Sequence, residues 1–246
     1  MSSKTQKAII FNCHYNGLSI IQELGQYGIE CIAMDSVRSI GTYSKYAKYQ
    51  KCPNPIENES AFIEFLYSYC AREKEPPVVF PTNDHWAMAI SKHKEKLSEV
   101  AVLCVADWEA VKTVTYKDIF YELGKEKKYL TPNTWSSNEL KQLNIECFPI
   151  IAKPRFRRMA SNDKMSVICN NLDRLRFTIL NNKQELEAFL DKESEFIDYL
   201  IFQEYIPGMS DQMYTVGIYA NDKSDILGLF TGHKVRGYPA GSGDCI

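Results

Sequence analysis

Glycine is scarce in this 246-residue chain, at 12 residues, and no G-x-G-x-x-G occurs among them. A Rossmann-type dinucleotide fingerprint is therefore absent. Cysteine is present eight times, but no two are spaced C-x-x-C, which removes zinc ribbons and thioredoxin-like redox sites. The four histidines, His14, His85, His93 and His233, lie far apart and form neither a metal spacing nor H-E-x-x-H. No G-x-S-x-G elbow is present. No apolar run approaches the roughly 18 residues that span a bilayer. Residues 1–7 are polar and offer no apolar stretch for a secretory signal, so the expected location is the cytoplasm. Neither sign of charge is in surplus: 29 Lys and Arg against 31 Asp and Glu give a net charge of −2. That balance argues against a dedicated nucleic-acid binder, and 45% hydrophobic residues argue against disorder. No internal repeat or low-complexity segment is found.

The residues that are present alternate between two periods. Ala8-Ile9-Ile10-Phe11 reads as a buried parallel strand, and residues 16–27 place Leu18, Ile21 and Leu24 on one helix face, closed by Gly28. A second strand, Ile29 to Met34, ends at Asp35. Residues 36–55 read as irregular. A helix over 61–71, a strand at Val78-Val79-Phe80, a helix over 86–97 capped by Asn83 or Asp84, and a strand over 100–105 follow. This alternation predicts an α/β domain with an open, mostly parallel sheet. Beyond Asp107 the pattern changes. Helices over 108–114, 117–126 and 183–190 mix with short strands at Ile150-Ile151-Ala152-Lys153 and 201–206, and with two strands over 213–220 and 226–234 joined by a turn at 221–224. The second half therefore reads as α+β. The cysteines sit mostly in apolar runs such as Cys31-Ile32-Ala33, where a free thiol behaves as a small hydrophobe in a reducing compartment.

Two segments have chemistry to offer. The turn 12–17 follows the first strand and opens a helix, a place that suits an anion or serves as an ordinary βα loop. Lys153-Pro154-Arg155-Phe156-Arg157-Arg158 leaves an apolar strand, so Lys153 is either a phosphate ligand aimed into a cleft or the start of a solvated charge run. His85 and His93 read as surface or capping groups, and Tyr43, Tyr46 and Tyr49 as one packed face.

Taken in order, these segments resemble the ATP-grasp superfamily, in its branch of carboxylate–amine ligases that includes D-aspartate ligase-like proteins. The likeness is carried by 17–25 with Gly28-Ile29 and Asp35; Gly41-Thr42-Tyr43-Ser44-Lys45-Tyr46; Phe80-Pro81-Thr82-Asn83-Asp84; Tyr116-Lys117-Asp118 with Leu130-Thr131-Pro132-Asn133-Thr134; Ile150 to Pro154; Phe202-Gln203-Glu204-Tyr205-Ile206-Pro207-Gly208; and His233-Lys234-Val235-Arg236 with Tyr238-Pro239 and Gly241. Order and spacing over most of the chain, more than any one motif, make the resemblance.

The resemblance implies a pre-ATP-grasp α/β domain over 1–112, an ATP-grasp N-terminal lobe over 113–200, and the start of a C-terminal lobe over 201–246. It implies ATP as a substrate, with Lys117 and Lys153 on its phosphates and Gln203, Glu204, Tyr205 and Ile206 forming the hinge that meets the adenine. Asp211 falls near a ribose-binding acid. Lys234 and Arg236 match basic groups that face the γ-phosphate and an acyl-phosphate. The implied chemistry phosphorylates a carboxylate and joins it to an amine, with magnesium on the phosphates; no nucleic acid or membrane takes part, and a homodimer is the assembly expected of such relatives. The family's magnesium carboxylates follow the P-x-x-G turn, so no metal ligand is assigned here and the ligands are expected beyond Ile246. The expectation is an incomplete ATP-grasp domain whose activity in isolation is doubtful. The alternative is a non-catalytic binding or assembly module completed by another chain; a Rossmann-type nucleotide-sugar transferase rests on fold analogy alone.

Overall fold

The computed structural model describes residues 6–142, 148–155, 177–235, 237–238 and 244–245. The first half holds β1 (Ala8–Phe11), α1 (Tyr15–Gln26), β2 (Cys31–Asp35), a 3-10 turn at Ile40–Tyr43, β3 (Ala47–Lys51), α2 (Glu59–Cys70), β4 (Val78–Phe80), α3 (Asp84–Lys92), α4 (Lys94–Ser98) and β5 (Val102–Leu103). The strands form one sheet in the order β3-β2-β1-β4-β5, and every pairing is parallel. The expected open parallel sheet is there. Residues 36–55, expected to be irregular, instead supply the 3-10 turn and the edge strand β3. The expected single helix over 86–97 is two helices that break at His93, and Asn83 is its cap, accepting from Trp86 N–H.

Both faces of β1 and β2 are buried, as the continuous apolar runs require. Alternate residues divide between two cores. Ile9, Phe11, Ile32, Met34 and Val79 pack with α2, α3 and α4, while Ala8, Ile10, Cys31 and Ala33 pack with Ile21 of α1. At the centre of the first core the Phe11 ring stacks on Trp86 at 4.8 Å and meets Phe62 edge-on at 5.2 Å. Aromatic pairs in these geometries add about 0.5–1.5 kcal/mol each beyond area burial.

Two further helices, α5 (Trp108–Thr115) and α6 (Lys117–Lys127), lead to β6 (Thr134–Trp135), α7 (Ser137–Gln142), β7 (Ile150–Pro154), β8 (Thr178–Leu180), α8 (Lys183–Lys192) and β9 (Leu200–Glu204). These four strands form an antiparallel sheet in the order β6-β9-β7-β8. A hairpin follows, β10 (Tyr214–Ala220) with β11 (Ile226–His233), and its apolar side chains Val216, Ile218, Leu229 and Phe230 are all more than half exposed. Short strands β12 (Gly237–Tyr238) and β13 (Asp244–Cys245) pair antiparallel. Among the described residues, no helix is long and apolar enough to cross a membrane.

Candidate functional site

The sheet β6-β9-β7-β8 has two faces of opposite character. Register places Ile151 opposite Gln203, Lys153 opposite Ile201, and Thr134 opposite Gln203. Paired residues share a face, so Ile151, Lys153, Ile201, Gln203 and Thr134 point the same way. Their neighbours Ile150, Ala152, Leu200 and Phe202 point the other way, into a core with Leu140, Leu180, Leu186 and Phe189. Burying the second face against α8 fixes what the first face presents.

That first face carries a chain of polar contacts. Lys153 Nζ donates to Gln203 Oε1 at 2.6 Å, Gln203 Nε2 donates to Thr134 Oγ1 at 2.8 Å, and Thr134 Oγ1 donates to the Pro132 carbonyl at 3.0 Å. Gln203 and Thr134 are buried, at 5% and 6% exposure. Lys153 also lies over the Tyr121 ring, 5.1 Å from its centroid, with the hydroxyl oxygen 3.4 Å from Nζ. Tyr121 stands one helical turn after Lys117 on α6. Lys117 is anchored at the same end of β7: its N–H donates to the Arg155 carbonyl at 2.9 Å and its Nζ to the Pro154 carbonyl at 3.1 Å. Asp118 and Arg155 form an ion pair beside it, and Arg155 Nη1 reaches the Asp198 carbonyl at 3.1 Å. The structure therefore gathers Lys117, Lys153 and Gln203 around one strand end.

The segment expected to form the hinge is held differently. Glu204 Oε2 accepts from the Asn133 backbone N–H at 3.1 Å and from Asn133 Nδ2 at 2.9 Å. Glu204 N–H donates to the Asn133 carbonyl at 2.8 Å, and Tyr205 N–H to the Pro149 carbonyl at 3.3 Å. Two of the N–H groups expected to meet an adenine edge are thus already occupied. Ile206, 58% exposed, follows them.

Asp211 and Lys234 both lie beside the open end of the hairpin. The Asp211 carbonyl contacts the His233 ring, which stacks on Tyr214 at 4.6 Å. Lys234 is buried, at 9% exposure, and its N–H donates to the Met213 carbonyl. Arg236 lies outside the described residues. Among the described residues, no group of three or more His, Cys, Asp or Glu could hold a metal ion. The ligands expected for the magnesium that the resemblance implies lie outside the described residues.

A second crevice, of about 350 Å³, opens at the carboxyl ends of β1 and β4, lined by Asn16, Phe80, Thr82, Asn83 and Cys104 among others. Strand order reverses between β1 and β4, the place where open parallel sheets form clefts. Thr82 Oγ1 ties the strand ends together, 2.7 Å from the Phe11 carbonyl and 2.9 Å from that of Asn12. The turn 12–17 already has an anion of its own: Asp35 Oδ2 accepts from Cys13 N–H at 2.8 Å and from Ser39 Oγ at 3.1 Å, and Oδ1 accepts from Ser36 N–H.

Sequence reasoning gives no role to Tyr121, Thr134 or Asn133, although the last two fall within one of the matching stretches. Tyr121 has a usable signal, its i+4 spacing from Lys117 on one helix face. Thr134 and Asn133 owe their places to the pairing of β6 with β9, which joins Gln203 to Thr134 across 69 residues and which local patterns do not encode.

No family model matches the chain. In sequence it is 25% identical over 224 residues to a D-aspartate ligase of Enterococcus faecium (strain Aus0004), an alignment covering 85% of this chain and 51% of that protein. In structure it resembles L-amino acid ligase from Bacillus licheniformis, with a TM-score of 0.60 at 14% identity, covering 94% of this chain and 52% of the other. It also resembles N5-carboxyaminoimidazole synthetase from Staphylococcus aureus complexed with ADP, with a TM-score of 0.62 at 13% identity, covering 91% and 54%. The chain spans about half the length of these relatives.

Proposed function

We propose that this chain is related to the carboxylate–amine ligases of the ATP-grasp superfamily and binds ATP with its phosphates at the end of β7. One observation carries the proposal: Lys153 and Gln203 share a face of the sheet while Lys117 is anchored at the end of the same strand. Two ammonium groups at one strand end are point charges suited to a polyphosphate. In this reading residues 1–112 form the pre-ATP-grasp domain, 113–200 the N-terminal lobe and 201–246 the start of the C-terminal lobe. The adenine lies along the hinge 203–206, where the occupied N–H groups of Glu204 and Tyr205 leave recognition to Ile206 and to hinge carbonyls. Asp211 takes the ribose.

In this reading the complete reaction has two steps. The γ-phosphoryl group moves from ATP to a substrate carboxylate oxygen, leaving ADP and an acyl-phosphate. An amine then attacks the acyl carbon, the C–O bond to phosphate breaks, and an amide, inorganic phosphate and a proton are released. Lys234 and Arg236 stabilise the charge that develops on the transferring group. The name of the curated relative, D-aspartate ligase, points to an amino acid as one substrate. Magnesium would neutralise phosphate charge when bound, on ligands expected outside the described residues.

Isothermal titration of the whole chain with ATP tests the proposal. Binding that Lys153→Ala weakens tenfold or more supports it, since a hydrogen bond to a charged group is worth about 1.5–3 kcal/mol. Equal binding by parent and variant, or none by the parent, overturns it.

A further inference from the structure

We infer that Thr134 and Tyr121 are positioning residues for Lys153, fixing its ammonium from two sides through Gln203 and through a ring face. The inference rests on the reading above, that Lys153 meets a nucleotide phosphate.

The direction of the polar chain is determined by chemistry. An ammonium can only donate, so the Gln203 atom 2.6 Å from Lys153 Nζ must be the carbonyl oxygen Oε1. Nε2 then faces Thr134 Oγ1 at 2.8 Å and can only donate to it. The threonine hydroxyl spends its own hydrogen on the Pro132 carbonyl, 3.0 Å away, and so offers Nε2 a lone pair. Every group has one role, from Lys153 to Gln203 to Thr134 to Pro132. With Gln203 and Thr134 both more than nine-tenths buried, water is not at hand to accept a reversed amide. A flipped Gln203 would aim N–H groups at the ammonium and an oxygen at the threonine lone pairs. The Pro132 carbonyl, through one hydroxyl, thereby decides which atom Lys153 meets.

Tyr121 closes the other side. Its ring lies 5.1 Å from Nζ, within cation–π range, and its hydroxyl oxygen is 3.4 Å away. One Lys153 N–H is taken by Gln203 and another turns to Tyr121. The third is left for a ligand, on an ammonium that cannot swing away without leaving both partners. Preorganised groups of this kind lower the ordering cost of binding.

The experiment compares ADP, ATP and adenosine binding to the full chain by calorimetry, with competition where adenosine is weak. Thr134→Val keeps the shape and the β-branch and removes only Oγ1. It is expected to weaken ATP and ADP by about five- to tenfold, the fold-change that one lost hydrogen bond brings, and to leave adenosine unchanged. Thr134→Ser restores the hydroxyl and is expected to recover ATP affinity to within about twofold of the parent. Tyr121→Leu is expected to act like Thr134→Val, and Tyr121→Phe less, because the ring remains. The side-chain amide resonances of Gln203 should shift in Thr134→Val and return in Thr134→Ser. Should Thr134→Val not fold, the serine and Tyr121→Leu variants decide the matter by the same ATP-to-adenosine comparison. Unchanged ATP affinity in Thr134→Val and Tyr121→Leu, or an equal loss for adenosine, overturns the inference while leaving the ATP site standing. A parent chain whose ATP affinity does not depend on Lys153 removes the site itself.

Discussion

Glu204 grips Asn133 with a single carboxylate oxygen, accepting from its backbone N–H at 3.1 Å and from its side-chain amide at 2.9 Å. The Glu204 N–H returns the bond to the Asn133 carbonyl at 2.8 Å. This clamp ties the segment that leaves α6 to the last residue of β9, at the mouth of the face that carries Lys153. The Glu204 side chain therefore holds the end of β9 to the segment before β6. Glu204→Ala and Asn133→Ala are each expected to cost about 0.5–1.5 kcal/mol of stability, at the lower end because the pair is exposed. The double variant should cost less than the sum, since both remove the bond from Asn133 Nδ2 to Glu204 Oε2. A double-mutant cycle in urea measures this; additive losses would mean that the clamp carries no coupling.

Gly41 is the point where the segment after β2 touches the turn after β1. Its N–H donates to the Cys13 carbonyl at 2.7 Å, and a Cβ at this position would stand 2.6 Å from that same oxygen. The obstructing atom belongs to backbone, not to the end of a flexible side chain, so Gly41→Ala must move the chain. The expected cost is about 1–3 kcal/mol, or roughly 2–4 °C in Tm per kcal/mol for a domain of this size. Gly28 differs: its φ is +77° and nothing lies within 4 Å of where a Cβ would stand, so only backbone strain opposes Gly28→Ala. Asparagine, which tolerates the left-handed region, should be accepted at position 28 better than alanine and rejected at 41. Thermal unfolding of the variants decides it.

The first core makes a sharper prediction. Trp86 is 5% exposed and stacks on Phe11 while meeting Phe62 edge-on. Trp86→Ala is expected to cost about 3–5 kcal/mol and Trp86→Phe much less, because an aromatic ring is kept against Phe11. Near-ultraviolet dichroism with urea unfolding would test the order of the two losses; equal losses would mean that the stack contributes little beyond volume.

How far these features can be read from sequence depends on how local their causes are. β1 and β2 are buried on both faces, so they read as unbroken apolar runs. β3 is an edge strand, Ala-Lys-Tyr-Gln-Lys, buried only in part, and its polar spelling hides it until Cys31↔Ala47 and Asp35↔Lys51 pair it with β2. Lys153 is visible because an apolar strand runs up to it. Gln203 is visible as part of a hinge motif, but its partner is not. Thr134 sits on a two-residue strand whose only meaning is its register against β9. The cap at Asn83 is legible because a cap is a local competition between a side chain and the next turn's N–H groups.

The buried thiols are expected to make stability fall in alkali. Burial pushes Cys13, Cys52 and Cys70 up to about 12 from an ordinary value of 9.0, and nearby carboxylates, Asp35 for the first two and Glu73 for the third, push in the same direction. Between pH 9 and 12 the folded chain therefore holds thiol protons that the unfolded chain has released. Folding then binds more protons than unfolding, so stability falls as pH rises through that window and is fully present below it. Burial raises Tyr69 as well, with the same sign. The urea midpoint is expected to decline steadily above about pH 9. Cys70→Ala, which removes one of these groups from beside Glu73, should flatten the decline in proportion while lowering the midpoint at neutral pH through the lost packing. Iodoacetamide at about pH 8 should modify exposed Cys104 well before Cys13, Cys52 and Cys70, which react at the rate of unfolding. A midpoint that stays level from about pH 9 to 11, or early alkylation of Cys13, would show that these thiols are not held as protonated core groups.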